Sequence, residues 1–203
     1  MALTIYGSPR SRTMRVLWMA AELDLDYRHV PLAYDDQALK QPDFLAINPA
    51  GAVPAIDDDG FTLSESLAIN LYLAKRYGSA GTTPLYPTSL QGEAEVWRWS
   101  LWAQAHLEPW VQRDAPLADL RAAIGAHAAS AVAPALKLLD DAVAKQRWLV
   151  GDHFTVGDLN VAAVLSPSRA EHLDFTATPH ARDWLDRCYG RPAARATRQR
   201  FQG

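Results

Sequence analysis

The hydrophobic pattern along the chain changes character near residue 78. Leu3-Thr4-Ile5-Tyr6 is a short run of β-type residues stopped by Gly7-Ser8-Pro9, the signature of a strand that ends in a turn. Ser11 to Leu23 then carries apolar residues all along a helical span, with Arg12, Arg15 and Glu22 as its polar side. Tyr27 to Leu32 reads as a second strand. Reached through a crossover helix, it should lie parallel to the first, so the chain opens with a βαβ unit. Pro42 to Ala46 predicts one helical turn, and Ala55-Ile56-Asp57 and Phe61-Thr62-Leu63 flank Asp58-Asp59-Gly60. Asp-Gly between apolar runs predicts a hairpin. Glu65 to Tyr77 is apolar nearly all round, as in a helix covered on more than one side.

Turn formers cluster from Gly78 through Ala80, Gly81 and Thr82 to Pro84, and on to Pro87, which places a domain boundary there. Beyond it the strand pattern does not recur. Leu90 to Arg113 reads as one long helix, Leu117 to Lys145 is alanine-rich and helical, and shorter helices follow. In Phe154-Thr155-Val156-Gly157-Asp158-Leu159, Thr155 can cap a helix while Asp158 answers the Thr155 N–H, with Phe154 and Leu159 as the apolar staple. Thr178-Pro179 repeats the logic, with proline at the first helical position. The expected architecture is an α/β domain over residues 1–78, a linker over 79–88 and an all-helical domain over 89–203.

Composition narrows the function without naming it. At 203 residues, 49% hydrophobic and 21% charged, the chain can bury two small cores and is far from the profile of disorder. A net charge of −3 supplies no field for a phosphate backbone, which excludes nucleic acid as the expected partner. The one basic concentration, six arginines from Arg182 to Arg200 against Asp183 and Asp186, reads as a solvated last helix. A single cysteine, Cys188, excludes an intrachain disulfide and makes no zinc site by itself. Met1 to Ser8 has no basic flank, and the charge-free stretch from Ala122 to Leu136 is too short to span a bilayer. A cytoplasmic protein without a membrane partner is expected.

Three loops carry candidate chemistry. Gly7 to Ser11 delivers Ser11 to the start of a helix, where unpaired N–H groups and the helix dipole favour an anion. Asn48-Pro49-Ala50-Gly51-Ala52-Val53-Pro54 sets two prolines around a glycine directly before a strand; with a cis Val53-Pro54 bond, the Val53 backbone turns outward and can pair with an extended peptide. Leu63-Ser64-Glu65-Ser66 brings hydroxyls, a carboxylate and free N–H groups to a second helix start, which suits an α-amino-acid head group. Taken singly, each serine is also a plain helix cap. On the long helix, Trp99, Trp102, Ala103, His106 and Trp110 share one stripe, either core or, in its upper part, the aromatic wall of a cleft for an apolar ligand.

These motifs, in this order on a βαβ-ββα frame followed by helices, resemble the glutathione transferase family over essentially the whole chain, in particular cytosolic, serine-type, bacterial-like members. The resemblance implies a thioredoxin-like N-terminal domain, an all-α C-terminal domain, a cis bond before Pro54, a homodimer, and glutathione as co-substrate with no metal. It further implies that Ser11 donates a hydrogen bond to the glutathione sulfur and that Val53, beside Pro54, pairs with the cysteinyl part. Glu65 and Ser66 would hold the γ-glutamyl end, and Lys40 the glycyl carboxylate. Ala52 stands where a Gln or Lys is common in the family, which removes one side-chain contact. Ser8, Arg10, Trp102 and His106 are the candidates for a second-substrate pocket. Tyr6 and Ser8 are competing hydroxyls, ranked behind Ser11 because Tyr6 lies within the strand pattern and Ser8 precedes the proline.

The implied activity is conjugation of glutathione to small apolar electrophiles, a detoxifying reaction. Two alternatives stand beside it. One is a glutathione-dependent peroxidase or reductase, disfavoured as a thiol exchanger because no cysteine precedes Cys188. The other is a non-catalytic, transferase-like binding module.

Overall fold

Short β-type runs satisfy their backbone N–H and C=O groups only when they pair, and pairing gives the first half of this chain its sheet. The computed structural model describes residues 3–79, 83–111 and 118–202. The chain divides into two compact units, Met1–Tyr86 with Arg191–Gly203, and Pro87–Gly190. Ala80, Gly81 and Thr82, inside the expected boundary, lie outside the described residues.

In the first unit, β1 (Leu3–Tyr6), α1 (Thr13–Glu22), β2 (Arg28–Val30), a 3-10 turn (Gln37–Lys40), α2 (Pro42–Leu45), β3 (Ala55–Asp58), β4 (Phe61–Ser64) and α3 (Ser66–Tyr77) follow in order. The sheet runs β2-β1-β3-β4, with β1 parallel to β2 and the other pairs antiparallel. This is the βαβ-ββα arrangement expected from the pattern, and it is thioredoxin-like, as the resemblance implies. Asp58 pairs with Phe61, so Asp59-Gly60 is a two-residue loop, and both its residues have positive φ, 53° and 91°. A type I′ hairpin turn demands this combination. Helices α1 and α3 pack together against the sheet, burying Ile5, Val16, Leu17, Ile56, Ile69 and Leu73.

Two of the three residues on the expected polar side of α1 have buried side chains. Arg15 is buried and its Nη1 donates to Ser66 Oγ at 3.2 Å. The Glu22 carboxylate is buried too, accepting from Trp18 Nε1 at 2.9 Å and from both Nε and Nη2 of Arg191 at 2.8 Å. A buried charge persists when it is paired in this way. Both decisive partners are remote in sequence, which periodicity cannot register.

The expected solvated last helix is in fact two helices, Pro179–Tyr189 and Pro192–Gln202, separated at Gly190. The second packs on α1 and sets Phe201 edge-on to His29, with ring centroids 5.5 Å apart; it groups with the first unit. At the end of β3, buried Asp58 accepts from Tyr72 and Tyr77 at 2.7 and 2.8 Å and pairs with Arg76 at 3.0 Å. Burial first, and then the bond to Asp58, push the Tyr72 hydroxyl up to about 12.

The second unit is helical: α4 (Leu90–Trp102), a π-helical turn (Ala103–Leu107), α5 (Glu108–Val111), α6 (Ala118–Lys145), α7 (Val156–Leu165), α8 (Pro167–Ala170) and α9 (Pro179–Tyr189). The last helix of the chain, in the first unit, is α10 (Pro192–Gln202). The single long helix expected over 90–113 is therefore interrupted; Gln112, Arg113 and Leu117 lie outside the described residues. A π turn adds a residue to the local period and rotates the buried face. Trp99 and Ala103 are buried and Trp102 half-buried, but the buried positions that follow are Leu107, Glu108 and Val111, while His106 is exposed and Trp110 is 36% exposed. The expected five-residue stripe ends at Ala103.

Helix α7 is buried along its whole length and packs against α4 and α9. Its capping box forms as expected: Thr155 Oγ1 accepts the Gly157 N–H at 3.2 Å and Asp158 Oδ2 the Thr155 N–H at 3.1 Å, with Phe154 and Leu159 both buried. The cap expected at Thr178 does not form. Its buried Oγ1 has no partner among the described residues, and Asp140 Oδ1 takes the Ala181 N–H at 2.9 Å. No helix among the described residues is long and apolar enough to cross a membrane.

Candidate active site

The loop after β1 turns on Gly7, whose φ is +128°. A Cβ there would stand 2.0 Å from Thr13 Oγ1 and 2.9 Å from Val53 Cβ, so only glycine lets this loop close against both. The loop is anchored to the end of β2. Gly7 N–H donates to Val30 O at 2.8 Å, Ser8 N–H to Leu32 O at 2.6 Å, and His29 Nε2–H to Gly7 O at 2.8 Å.

Ser11 is half-buried just before α1. Its N–H and its hydroxyl both donate to Ser8 O, at 3.0 and 2.7 Å. Its Oγ accepts the Thr13 N–H at 3.1 Å and lies 2.8 Å from Thr13 Oγ1. Ser8 Oγ accepts the Arg10 N–H at 3.3 Å, and the Arg10 side chain is exposed. Tyr6 packs edge-on against Phe44, centroids 5.9 Å apart, in a small core with Leu39 and Ala55.

The second loop contains the cis Val53-Pro54 bond. Val53 lies before the first ladder residue, Ala55, so its backbone groups are not used by sheet pairing. Buried Asn48 scaffolds the loop: its Oδ1 accepts the Ala50 N–H at 3.1 Å, its C=O the Gly51 N–H at 2.9 Å, and its Nδ2 donates to Ala52 O at 2.7 Å. In the sequence Asn48 is marked only by Asn-Pro, a turn initiator; its scaffolding bonds form in the folded loop. Lys40 is exposed and uses one of its three donors on Gly51 O, at 2.8 Å.

At the third loop, Glu65 is exposed and held at a φ of 69°, immediately before α3. A non-glycine residue in the left-handed region costs on the order of 1–3 kcal/mol, a strain that accumulates at functional sites. Ser66 is buried against Arg15. The first and second loops thus touch through Gly7, Thr13 and Val53, and α1 reaches the third loop through Arg15. In the sequence Arg15 reads only as part of the polar side of α1, because its bond to Ser66 joins positions 51 residues apart. Trp102 and His106 belong to the second unit. Two helix N-termini, Arg15 and Lys40 favour carboxylates here, while Glu65 favours an ammonium group. Among the described residues no cluster of His, Cys, Asp and Glu could hold a metal ion.

A mixed four-stranded sheet whose loops meet in this way, continued by a helical unit, defines a two-part fold. The family model for the glutathione S-transferase N-terminal domain matches residues 1–75, and that for its C-terminal domain residues 108–187. Glutathione S-transferase 3 of Zea mays is 35% identical over 96% of this chain and 92% of its own. Glutathione S-transferase GstB of Escherichia coli K12 is 32% identical over 95% and 96%. A solved structure of glutathione S-transferase III in its apo form is similar at a TM-score of 0.82 and 32% identity, covering 99% of this chain and 97% of that one. The chain belongs to the glutathione S-transferase family and is a transferase.

Proposed function

We propose that this transferase binds glutathione across the three loops and activates its thiol at Ser11 for attack on a small apolar electrophile. The observation that carries the reading is the Ser11 hydroxyl proton, which rests on a carbonyl already bonded to the Ser11 N–H and so can be redirected without stranding a group. Val53 offers its backbone to the cysteinyl part, beside Pro54. Glu65 and Ser66, with Arg15 behind Ser66, take the γ-glutamyl end, and Lys40 takes the glycyl carboxylate with its remaining donors. The packing of the Tyr6 ring in the core supports Ser11 over Tyr6.

A free thiol has a pKa of about 8.5, so only a few per cent is thiolate at neutral pH. A hydroxyl donor and a helix N-terminus, each contributing roughly 1 kcal/mol or more, lower that by about one to two units. The thiolate fraction rises severalfold or more. The sole cysteine, Cys188, is buried, which supports chemistry by bound glutathione rather than by a protein thiol. An exposed apolar stripe on α4, Leu90, Ala94, Trp97 and Leu101, supports a homodimer. The test is conjugation of glutathione to 1-chloro-2,4-dinitrobenzene. Ser11→Ala is expected to lower kcat/KM at neutral pH by about ten-fold or more, the worth of a hydrogen bond to a charged group. Equal rates would remove Ser11 from the reaction.

A further inference from the structure

The hydroxyl contacts around Ser11 have only one consistent proton arrangement. A serine hydroxyl has one proton and two lone pairs. The proton goes to Ser8 O at 2.7 Å, because a carbonyl only accepts. The Thr13 N–H, which only donates, fills one lone pair at 3.1 Å. With its proton committed, Ser11 cannot also donate to Thr13, so the 2.8 Å contact between the two hydroxyls runs from Thr13 to Ser11.

We propose that Thr13 is a positioning residue for the reaction: its hydroxyl and N–H occupy both lone pairs of Ser11 and leave Ser11 able to act only as a donor to the bound sulfur. The proposal rests on the reading of Ser11 given above. Two donors on one oxygen polarise its O–H bond and strengthen the bond it donates. When the Ser11 proton turns from Ser8 O to a thiolate, Ser8 O keeps the Ser11 N–H at 3.0 Å, so the switch leaves no buried acceptor unpaired. Thr13 is fully buried, and its Oγ1 lies in the space that the absent side chain of Gly7 leaves open. Any side chain at residue 7 would displace it.

The experiment titrates the thiolate absorbance of glutathione bound to the full chain, together with steady-state conjugation across pH. Thr13→Val, close in shape but without the hydroxyl, is expected to raise the midpoint of thiol ionisation by about half a pH unit to one. It should lower kcat at neutral pH by roughly three- to ten-fold, recover rate as pH rises and leave the KM for glutathione near wild type. Thr13→Ser should restore wild-type behaviour; Thr13→Ala gives the same reading should valine not be accommodated. Added to Ser11→Ala, the Thr13→Val change should shift the midpoint no further.

An unshifted midpoint in Thr13→Val, with Ser11→Ala shifted, overturns the role of Thr13 and leaves that of Ser11 standing. A full additional shift in the double variant also overturns it, since Thr13 would then act without Ser11. An unshifted midpoint in Ser11→Ala overturns both readings at once.

Discussion

Two polar clusters sit at helix N-termini, one before α1 in the first unit and one before α7 in the second, and they differ in what their bonds leave over. Around Asp158, Oδ1 accepts the Leu149 N–H at 2.9 Å and the Trp184 Nε1–H at 2.8 Å, while Oδ2 accepts the Thr155 N–H at 3.1 Å. Each of these donors is buried, and each depends on the carboxylate. Around Ser11, by contrast, the hydroxyl is half-exposed and its proton goes to an acceptor that has a second donor. A cluster in which every bond is needed serves as scaffold; one with a redundant bond can exchange it for a bond to a ligand.

Substituting the scaffold should therefore have the largest effect, and on stability alone. Asp158→Ala strands three buried donors and is expected to cost about 3–5 kcal/mol in denaturant or thermal unfolding. Burial, outweighing the bonds from Leu149, Trp184 and Thr155, raises Asp158 to about 6. The folded state thus holds a proton that the unfolded chain releases near pH 4. The stabilisation linked to this group is present below about pH 4 and is lost as pH rises through about 6, roughly 2–3 kcal/mol in all. Asp158→Asn should flatten unfolding free energy over that window. Neither variant should move the ionisation of glutathione bound to the folded fraction; if one does, the division between scaffold and chemistry breaks.

Gly7→Ala applies the opposite pressure. A methyl group at a φ of +128°, 2.0 Å from Thr13 Oγ1, must push Thr13 from its place and press on Val53. Expected are a stability loss of about 2 kcal/mol, on the scale of backbone strain, and a fall of at least about ten-fold in conjugation rate. A variant that loses stability but conjugates at the wild-type rate would show that the Ser11 cluster tolerates rearrangement and is scaffold after all.

What the amino-acid sequence discloses here follows from the range of each interaction. The Asp59-Gly60 hairpin, the βαβ opening and the Thr155–Asp158 box are legible because their partners lie within a few residues and turn or cap chemistry is local. The three site loops are legible as motifs for the same reason. Arg15 and Glu22 read only as a polar side because their partners, Ser66 and Arg191, are 51 and 169 residues away. The π turn at Ala103–Leu107 displaced His106 and Trp110 from the expected stripe through a change of a single residue in period, which no composition signal marks.

Thr155 and Thr178 carry the comparison to its smallest scale, since both read as helix caps and only one is. At Thr155 the hydroxyl accepts the Gly157 N–H, so Thr155→Val should cost about 1 kcal/mol, the usual worth of an N-cap. At Thr178 the carboxylate of Asp140 already satisfies the Ala181 N–H from another helix, and the buried hydroxyl has no partner among the described residues. A buried hydroxyl without a hydrogen bond is a cost, and valine of nearly the same shape removes it. Thr178→Val should then leave stability unchanged or raise it by up to about 1 kcal/mol, read as a shift in the denaturant midpoint at constant slope. A loss matching that of Thr155→Val would mean that the Thr178 hydroxyl caps its helix in solution, and that Asp140 is dispensable for starting α9.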